Sequence, residues 1–273
     1  MTIGIVTDSN AQLPQALRAR YDIRVVPLGI TIDGDSYEEG VDLSNDEFYR
    51  RLGEGAVVTT SAPSPGSVLA QYEILAATGC ENILSIHIGS NTSATLNSVK
   101  IAAELSPIPV EIVDTGTASF AIGCCVWAAA EALIAGASLA QARDRALKIA
   151  ASIGNVFVVG ATDLAAAGGR LAADARCTPS PVLALEGGQM RAVAQVFNGQ
   201  SAADAMVDYV VRQAGRNTQR IGVGSAGVEF LAEQLVTALQ RTYVATEIVR
   251  YDIGPSVGAH TGFGTYGCVF FPS

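Results

Sequence analysis

The sequence predicts an α/β protein in two parts: an N-terminal three-layer domain built on a parallel sheet, and a C-terminal α+β domain. Three observations carry that expectation. Short β-branched runs alternate with helical stretches throughout the first half, the order a parallel sheet requires. Ile83–Ile88 is apolar on both faces, as a central parallel strand covered by two helical layers must be. The texture then changes near Gly154, where strands begin to follow one another through tight turns. The boundary is therefore expected near residue 153, with domains over 1–153 and 154–273.

Ile3–Thr7, ending at Asp8-Ser9, is expected to be a first buried strand, with a helix over Leu13–Tyr21 and one extended segment over Ile23–Ile32. Ser44 with Glu47 forms a capping box opening a helix through Leu52. Val57–Ser61 leads into the Pro63/Pro65 loop and a helix from about Ser67 to Thr78. The break Gly89-Ser90-Asn91-Thr92-Ser93 separates the central strand from a helix to about Glu104. Val110–Val113 is another strand, followed by a long Ala-rich helix and a further one from about Ser138 to Ser152. In the second half Val156–Gly160 reads as a strand, and Pro181–Leu185 and Met190–Val196 flank Glu186-Gly187-Gly188-Gln189 as a hairpin. Ser201 with Asp204 caps a helix to about Ala214. Strands at Ile221–Ser225, Thr246–Tyr251 and Gly267–Phe271 and a helix over Glu229–Arg241 complete the chain.

With 273 residues, 49% hydrophobic and 16% charged, the chain can fill its cores and is not a disordered composition. Net charge −9 disfavours nucleic acid and anionic membrane surfaces as partners. Residues 1–150 carry 9 Lys and Arg against 17 Asp and Glu, and much of that excess lies between Asp33 and Glu54, a run expected to be a solvated face. Five scattered cysteines without a C-x-x-C, and two histidines, give neither a disulfide framework nor a zinc-ligand spacing. The N-terminus lacks the basic region of a signal peptide, so a reducing cytoplasm is the expected location. Ala118–Ala140 is long enough for a membrane span. Glu131 near its centre and its Ala, Gly, Ser and Cys content favour a buried helix, and no stable membrane insertion is expected.

Three hydroxyl clusters stand at predicted strand ends: Thr7-Asp8-Ser9, Thr59-Thr60-Ser61, and Ser90 to Thr95. Strand ends in open α/β sheets form the ligand crevice, and hydroxyls before a helix N-terminus suit an anion. Any one cluster on its own is better explained by helix capping, and it is the three together that weigh against that reading. No G-x-x-x-x-G-K-[ST] occurs, and the two lysines, Lys100 and Lys148, lie in predicted helices, which excludes a nucleotide-hydrolysing P-loop. Gly262-x-Gly264-x-x-Gly267 runs into a strand rather than a helix and is an accidental match to a dinucleotide fingerprint. Neutral hydroxyl donors suit a carboxylate, small or acyl. Gly168-Gly169-Arg170 can aim a guanidinium at an anion, with a plain surface Arg as the even alternative. His260, between glycines in an expected loop, can bridge a carboxylate or donate a proton, whereas His87 is expected to be a satisfied strand histidine. Without G-x-S-x-G, and with Cys124-Cys125 inside an apolar helix, a serine or cysteine hydrolase fits poorly.

In order and spacing these segments resemble the DegV family of fatty-acid-binding proteins, nearly end to end. The correspondence covers Thr7-Asp8-Ser9, Val26-Pro27-Leu28, Glu39-Gly40-Val41-Asp42 before Glu47-Phe48-Tyr49, and Thr59-Thr60-Ser61-Ala62-Pro63-Ser64. It continues through Ile83 to Ser98, Asp114-Thr115, Gly168-Gly169-Arg170-Leu171, Pro181-Val182-Leu183, Gly254-Pro255 and His260-Thr261-Gly262. The resemblance implies a two-domain carrier, with no cofactor beyond a bound long-chain fatty acid whose acyl chain is buried. It implies that Thr60 or Ser61, together with Ser93 and Thr95, holds the carboxylate, with His260 close by. It further implies that a separate fatty acid kinase phosphorylates the presented acid, with Arg170 and His260 facing the added phosphate. Three departures stand out: Ala94 where the family has Gly, Phe263 where it has Pro, and a shorter stretch between Arg170 and Pro181. The alternatives are a small-molecule acyl or phosphoryl transferase acting on its own through His260 and Arg170, and a lipid-responsive regulatory protein.

Overall fold

The computed structural model describes residues 2–169, 171–177, 181–196, 200–215, 219–243 and 247–272. They form two compact units: Met1–Ser44 with Val57–Ala151, and Asn45–Ala56 with Ser152–Ser273.

The first unit runs β1 (Ile3–Asp8), a 3-10 turn (Ser9–Ala11), α1 (Gln15–Arg20), β2 (Ile23–Val26), β3 (Gly29–Ile32) and β4 (Asp35–Glu38). A helix of the second unit, α2 (Asn45–Gly53), interrupts it. Then follow β5 (Val58–Ser61), α3 (Pro65–Ala77), β6 (Asn82–His87), α4 (Thr95–Leu105), β7 (Val110–Asp114), α5 (Phe120–Ile134) and α6 (Leu139–Ser152). The main sheet has the order β2-β1-β6-β7 and is wholly parallel, the expected α/β layer. Val6 and Ile83 meet Tyr72 and Leu75 of α3 and Leu96 and Val99 of α4 in its core. Helix α5 packs over β1 and β6, and Phe120 through Ala130 are all buried. Small residues permit that seat: a Cβ at Gly123 would come within 2.7 Å of the Ala11 carbonyl.

Ile23–Ile32 is not one extended segment but two strands in different sheets. Pro27 cannot donate to a ladder, and the Leu28 amide donates instead to Ser9 Oγ at 2.9 Å, so the chain leaves the parallel sheet there. β3 then enters a small antiparallel sheet of order β4-β3-β5. Asp33 and Gly34, with φ of 54° and 98°, make the two-residue hairpin turn between β3 and β4.

The second unit contains β8 (Gly154–Val158), α7 (Thr162–Ala167), α8 (Ala173–Cys177), β9 (Pro181–Glu186), β10 (Gln189–Gln195) and α9 (Ala202–Ala214). It continues with β11 (Gln219–Ser225), α10 (Glu229–Thr242), β12 (Glu247–Asp252), α11 (Pro255–Thr261) and β13 (Tyr266–Pro272). Its six-stranded mixed sheet has the order β10-β9-β8-β13-β11-β12, with β11 and β12 parallel. The β9–β10 hairpin turns at Gly187 and Gly188, both at positive φ. Met206 and Val210 of α9 and Leu235 and Leu239 of α10 pack with Ile221 and Val223 of the sheet. Helix α2, within residues 1–153 of the sequence-derived boundary, packs here: Phe48 is fully buried, and the Tyr49 hydroxyl donates to the Ile253 carbonyl at 2.7 Å. A Cβ at Gly258 of α11 would collide with that hydroxyl.

Among the described residues no helix is long and apolar enough to cross a membrane.

Candidate functional site

The carboxyl ends of β1 and β6 lie side by side, since Thr7 pairs with Ile86 in the parallel ladder. This register sets Asp8 beside His87, and both are fully buried. Asp8 Oδ2 accepts from His87 Nδ1 at 2.9 Å and from the Ile88 amide at 3.0 Å. His87 Nε2 lies 2.7 Å from Ser85 Oγ, which lies 2.8 Å from the Tyr72 hydroxyl. Burial pushes the Tyr72 hydroxyl up to about 12, against a smaller opposing effect of the Ser85 bond, so it keeps its proton. One orientation then gives every proton an acceptor: Tyr72 O–H to Ser85, Ser85 O–H to His87 Nε2, and His87 Nδ1–H to Asp8. Thr7 Oγ1 and Asp8 Oδ1 are buried with no hydrogen-bond partner.

The turn after β6 carries the hydroxyls singled out in the sequence. Gly89 O accepts from the Thr92 amide at 2.9 Å and from the Ser93 amide at 3.1 Å, while the Gly89 amide donates to Thr117 O at 2.8 Å. Ser93 Oγ accepts from the Thr95 amide at 3.2 Å and lies 2.9 Å from Thr95 Oγ1. Ser93 is half-buried and Thr95 fully buried. One of the two hydroxyl protons serves the contact between them, which leaves one to be donated outward at the start of α4. Ala94 at the cap contributes no side-chain bond, so Ser93 performs the capping.

The other clusters divide. Ser9 Oγ donates to Glu39 Oε2 and accepts from the Leu28 amide, so this hydroxyl is spent on bracing the chain. Glu39 is itself buried, an exception within the otherwise exposed acidic run Asp33–Glu38. Ser90 Oγ donates to Asp114 Oδ2 at 2.6 Å, and hydrogen bonds from Ser90 and Gly116 hold the Asp114 carboxyl below its ordinary range against desolvation. On β5, Thr60 lies opposite fully buried Ile30 and is half-buried, whereas Ser61 lies opposite Gly29 and is exposed. The Ser61 hydroxyl fills the space a Cβ at Gly29 would need.

In the second unit His260 stands in the last turn of α11, not in a loop, and is half-buried. Pro255 at the first helical position starts that helix and Gly262, at φ 79°, ends it. Gly169 has φ 68° after α7, while Arg170 lies outside the described residues. Phe263 is 54% exposed and its ring meets Tyr49 edge-on at 5.8 Å. Both rings line a cleft of about 570 Å³ with Asp46, Glu229 and Asp252. No group of three or more His, Cys, Asp or Glu among the described residues could hold a metal ion.

Sequence reading passed over the Asp8–His87 pairing. The signal was available: Ser85 and His87, two apart in an apolar strand, must face one side together.

The model of the family described as uncharacterised protein, DegV family, matches residues 2–273. A DegV domain-containing protein of Streptomyces coelicolor is 32% identical over 98% of this chain and 97% of its own. A solved DegV family protein from Thermus thermophilus, described as fatty acid binding, superposes with a TM-score of 0.90 at 30% identity, covering 100% of both chains. A Thermotoga maritima protein described as revealing a fatty acid binding function gives a TM-score of 0.89 at 25% identity, again over 100% of both.

Proposed function

The chain belongs to the DegV family, and on that premise we propose that it binds a long-chain fatty acid, with the carboxylate held by hydroxyls of the first unit and the acyl chain buried. The observation that carries the reading is the full-length similarity, at 30% identity, to the Thermus thermophilus protein described as fatty acid binding. The Ser93–Thr95 pair supports it, since it keeps one hydroxyl proton for an external acceptor at the start of an eleven-residue helix. Of Thr60 and Ser61, Thr60 on the buried face of β5 is the better placed for a ligand withdrawn from water. Burying each CH₂ contributes about 0.8 kcal/mol and each hydroxyl about 1–3 kcal/mol, so the acyl chain sets affinity and the hydroxyls set orientation.

We further propose a carrier rather than a catalyst: a separate fatty acid kinase phosphorylates the presented carboxylate, and His260 and Arg170 serve that end of the ligand. Family resemblance alone supports this second step.

Mass spectrometry of acid extracts from the purified, denatured protein tests the first proposal. A stoichiometric long-chain acid is expected. An empty protein that also takes up no palmitate on titration refutes the reading. Incubating the isolated protein with ATP and palmitate tests the second, and acyl phosphate formed without any other protein refutes it.

A further inference from the structure

The buried Asp8 has no role in the binding chemistry proposed above. Its carboxylate is nevertheless placed to govern that chemistry. Asp8 Oδ2 holds the first amide after β6, that of Ile88, as well as the ring of His87. The His87 carbonyl in turn accepts from Thr115 Oγ1 at 2.8 Å, so both sides of this peptide are tied down. Gly89, one residue on, holds Thr92 and Ser93 by its own carbonyl, and Ser93 Oγ then closes on Thr95. Ile88 and Ser93 are thus five positions apart, and the amides of Ile88, Gly89, Ser90, Thr92 and Ser93 are each held by a hydrogen bond. Gly89 leaves little slack, because a Cβ there would lie 2.6 Å from the Gly116 backbone. This acceptor is fully buried, so a donor that loses it has no water to turn to.

We propose that Asp8 is a positioning residue for the carboxylate clasp: through the Ile88 amide and His87 it fixes the β6–α4 turn in the one arrangement that presents the Ser93 hydroxyl to the ligand. The inference rests on the fatty-acid reading for its ligand, and on the turn geometry alone for its mechanism.

A double-mutant cycle with palmitate as the probe separates positioning from general stability. Asp8→Ala is expected to weaken palmitate about tenfold, the equivalent of one buried hydrogen bond, and to have no further effect in a Ser93→Ala background. Asp8→Asn, which keeps an oxygen where Oδ2 lies, is expected to recover most of the loss. In ligand-free protein, amide exchange at Ile88–Ser93 is expected to accelerate in Asp8→Ala more than across the rest of the first unit. If Asp8→Ala does not fold, Asp8→Asn carries the same cycle with a smaller loss of about threefold. Equal losses in both backgrounds, or unchanged exchange at Ile88–Ser93, overturn the proposal. If the wild-type protein binds no palmitate, the fatty-acid reading fails, and the exchange measurement still decides the role of Asp8.

Discussion

Removing one hydroxyl from the middle of the buried chain tests whether it is a hydrogen-bonded series or a set of accidental contacts. Ser85 gives its proton to His87 and takes one from Tyr72, and all three side chains are fully buried. Ser85→Ala removes little volume but leaves two desolvated polar groups without partners, at about 1–3 kcal/mol each. The expected loss is therefore roughly 2–6 kcal/mol, far more than a serine-to-alanine change costs at the surface. The sharper expectation concerns a second substitution. In the wild type Tyr72→Phe removes the terminal donor and is expected to cost about 1 kcal/mol. In Ser85→Ala the same change removes an orphaned hydroxyl, so it is expected to return about 1–2 kcal/mol of stability. The effect of Tyr72→Phe changes sign between the two backgrounds. The single tryptophan, Trp127, is 1% exposed within α5 on β1 and β6, so its fluorescence during urea unfolding reports on the first unit alone. If Tyr72→Phe shifts the midpoint by the same amount and in the same direction in both backgrounds, the series of bonds is refuted.

Alkaline pH gives another test. Burial raises Tyr72 from an ordinary 10 to about 12, so its contribution is complete below pH 10 and is lost as pH rises through 12, an effect of about 2–3 kcal/mol. Trp127-monitored urea midpoints between pH 10 and 12 are expected to fall less steeply in Tyr72→Phe than in the wild type, and equal slopes would contradict the assignment. In the second unit, a Cβ at Gly160 would collide with the backbone carbonyl of Phe263, which cannot rotate away. Gly160→Ala is expected to destabilise by more than 2 kcal/mol or so in urea titrations followed by circular dichroism, and a near-neutral effect would show that the β8–α7 corner moves freely.

Much of the fold was legible because its cues were local. Ser201 with Asp204 and the Gly187–Gly188 turn each carry their chemistry within four residues. The split after Val26 was not read, although Pro27 and the Asp33-Gly34 pair were both visible, because the Val and Ile content of Ile23–Ile32 outweighed them. Helix α11 escaped for a different reason. Gly258 lowers its helix propensity, and the benefit of that glycine lies in a tyrosine far away in sequence. At the candidate site the start of α4 was legible, since Ser93 and Thr95 are neighbours. The fate of Ser9 was not, because what consumes its hydroxyl is Glu39, thirty residues on and just past the end of β4.

Helix α2 sets a problem of timing for the growing polypeptide. Tyr49 emerges from the ribosome 204 residues before the carbonyl it bonds. At about 5–20 residues per second, it waits roughly ten to forty seconds for that partner. Arg50 bonds Glu47 at 2.8 Å and Glu54 at 2.6 Å, and such i,i+3 and i,i+4 pairs help a short helix persist unaided. A chain cut near residue 153 separates Phe48 from α11: the front piece carries away the ring that packs at Gly258, and the rear piece keeps a glycine whose neighbour is gone.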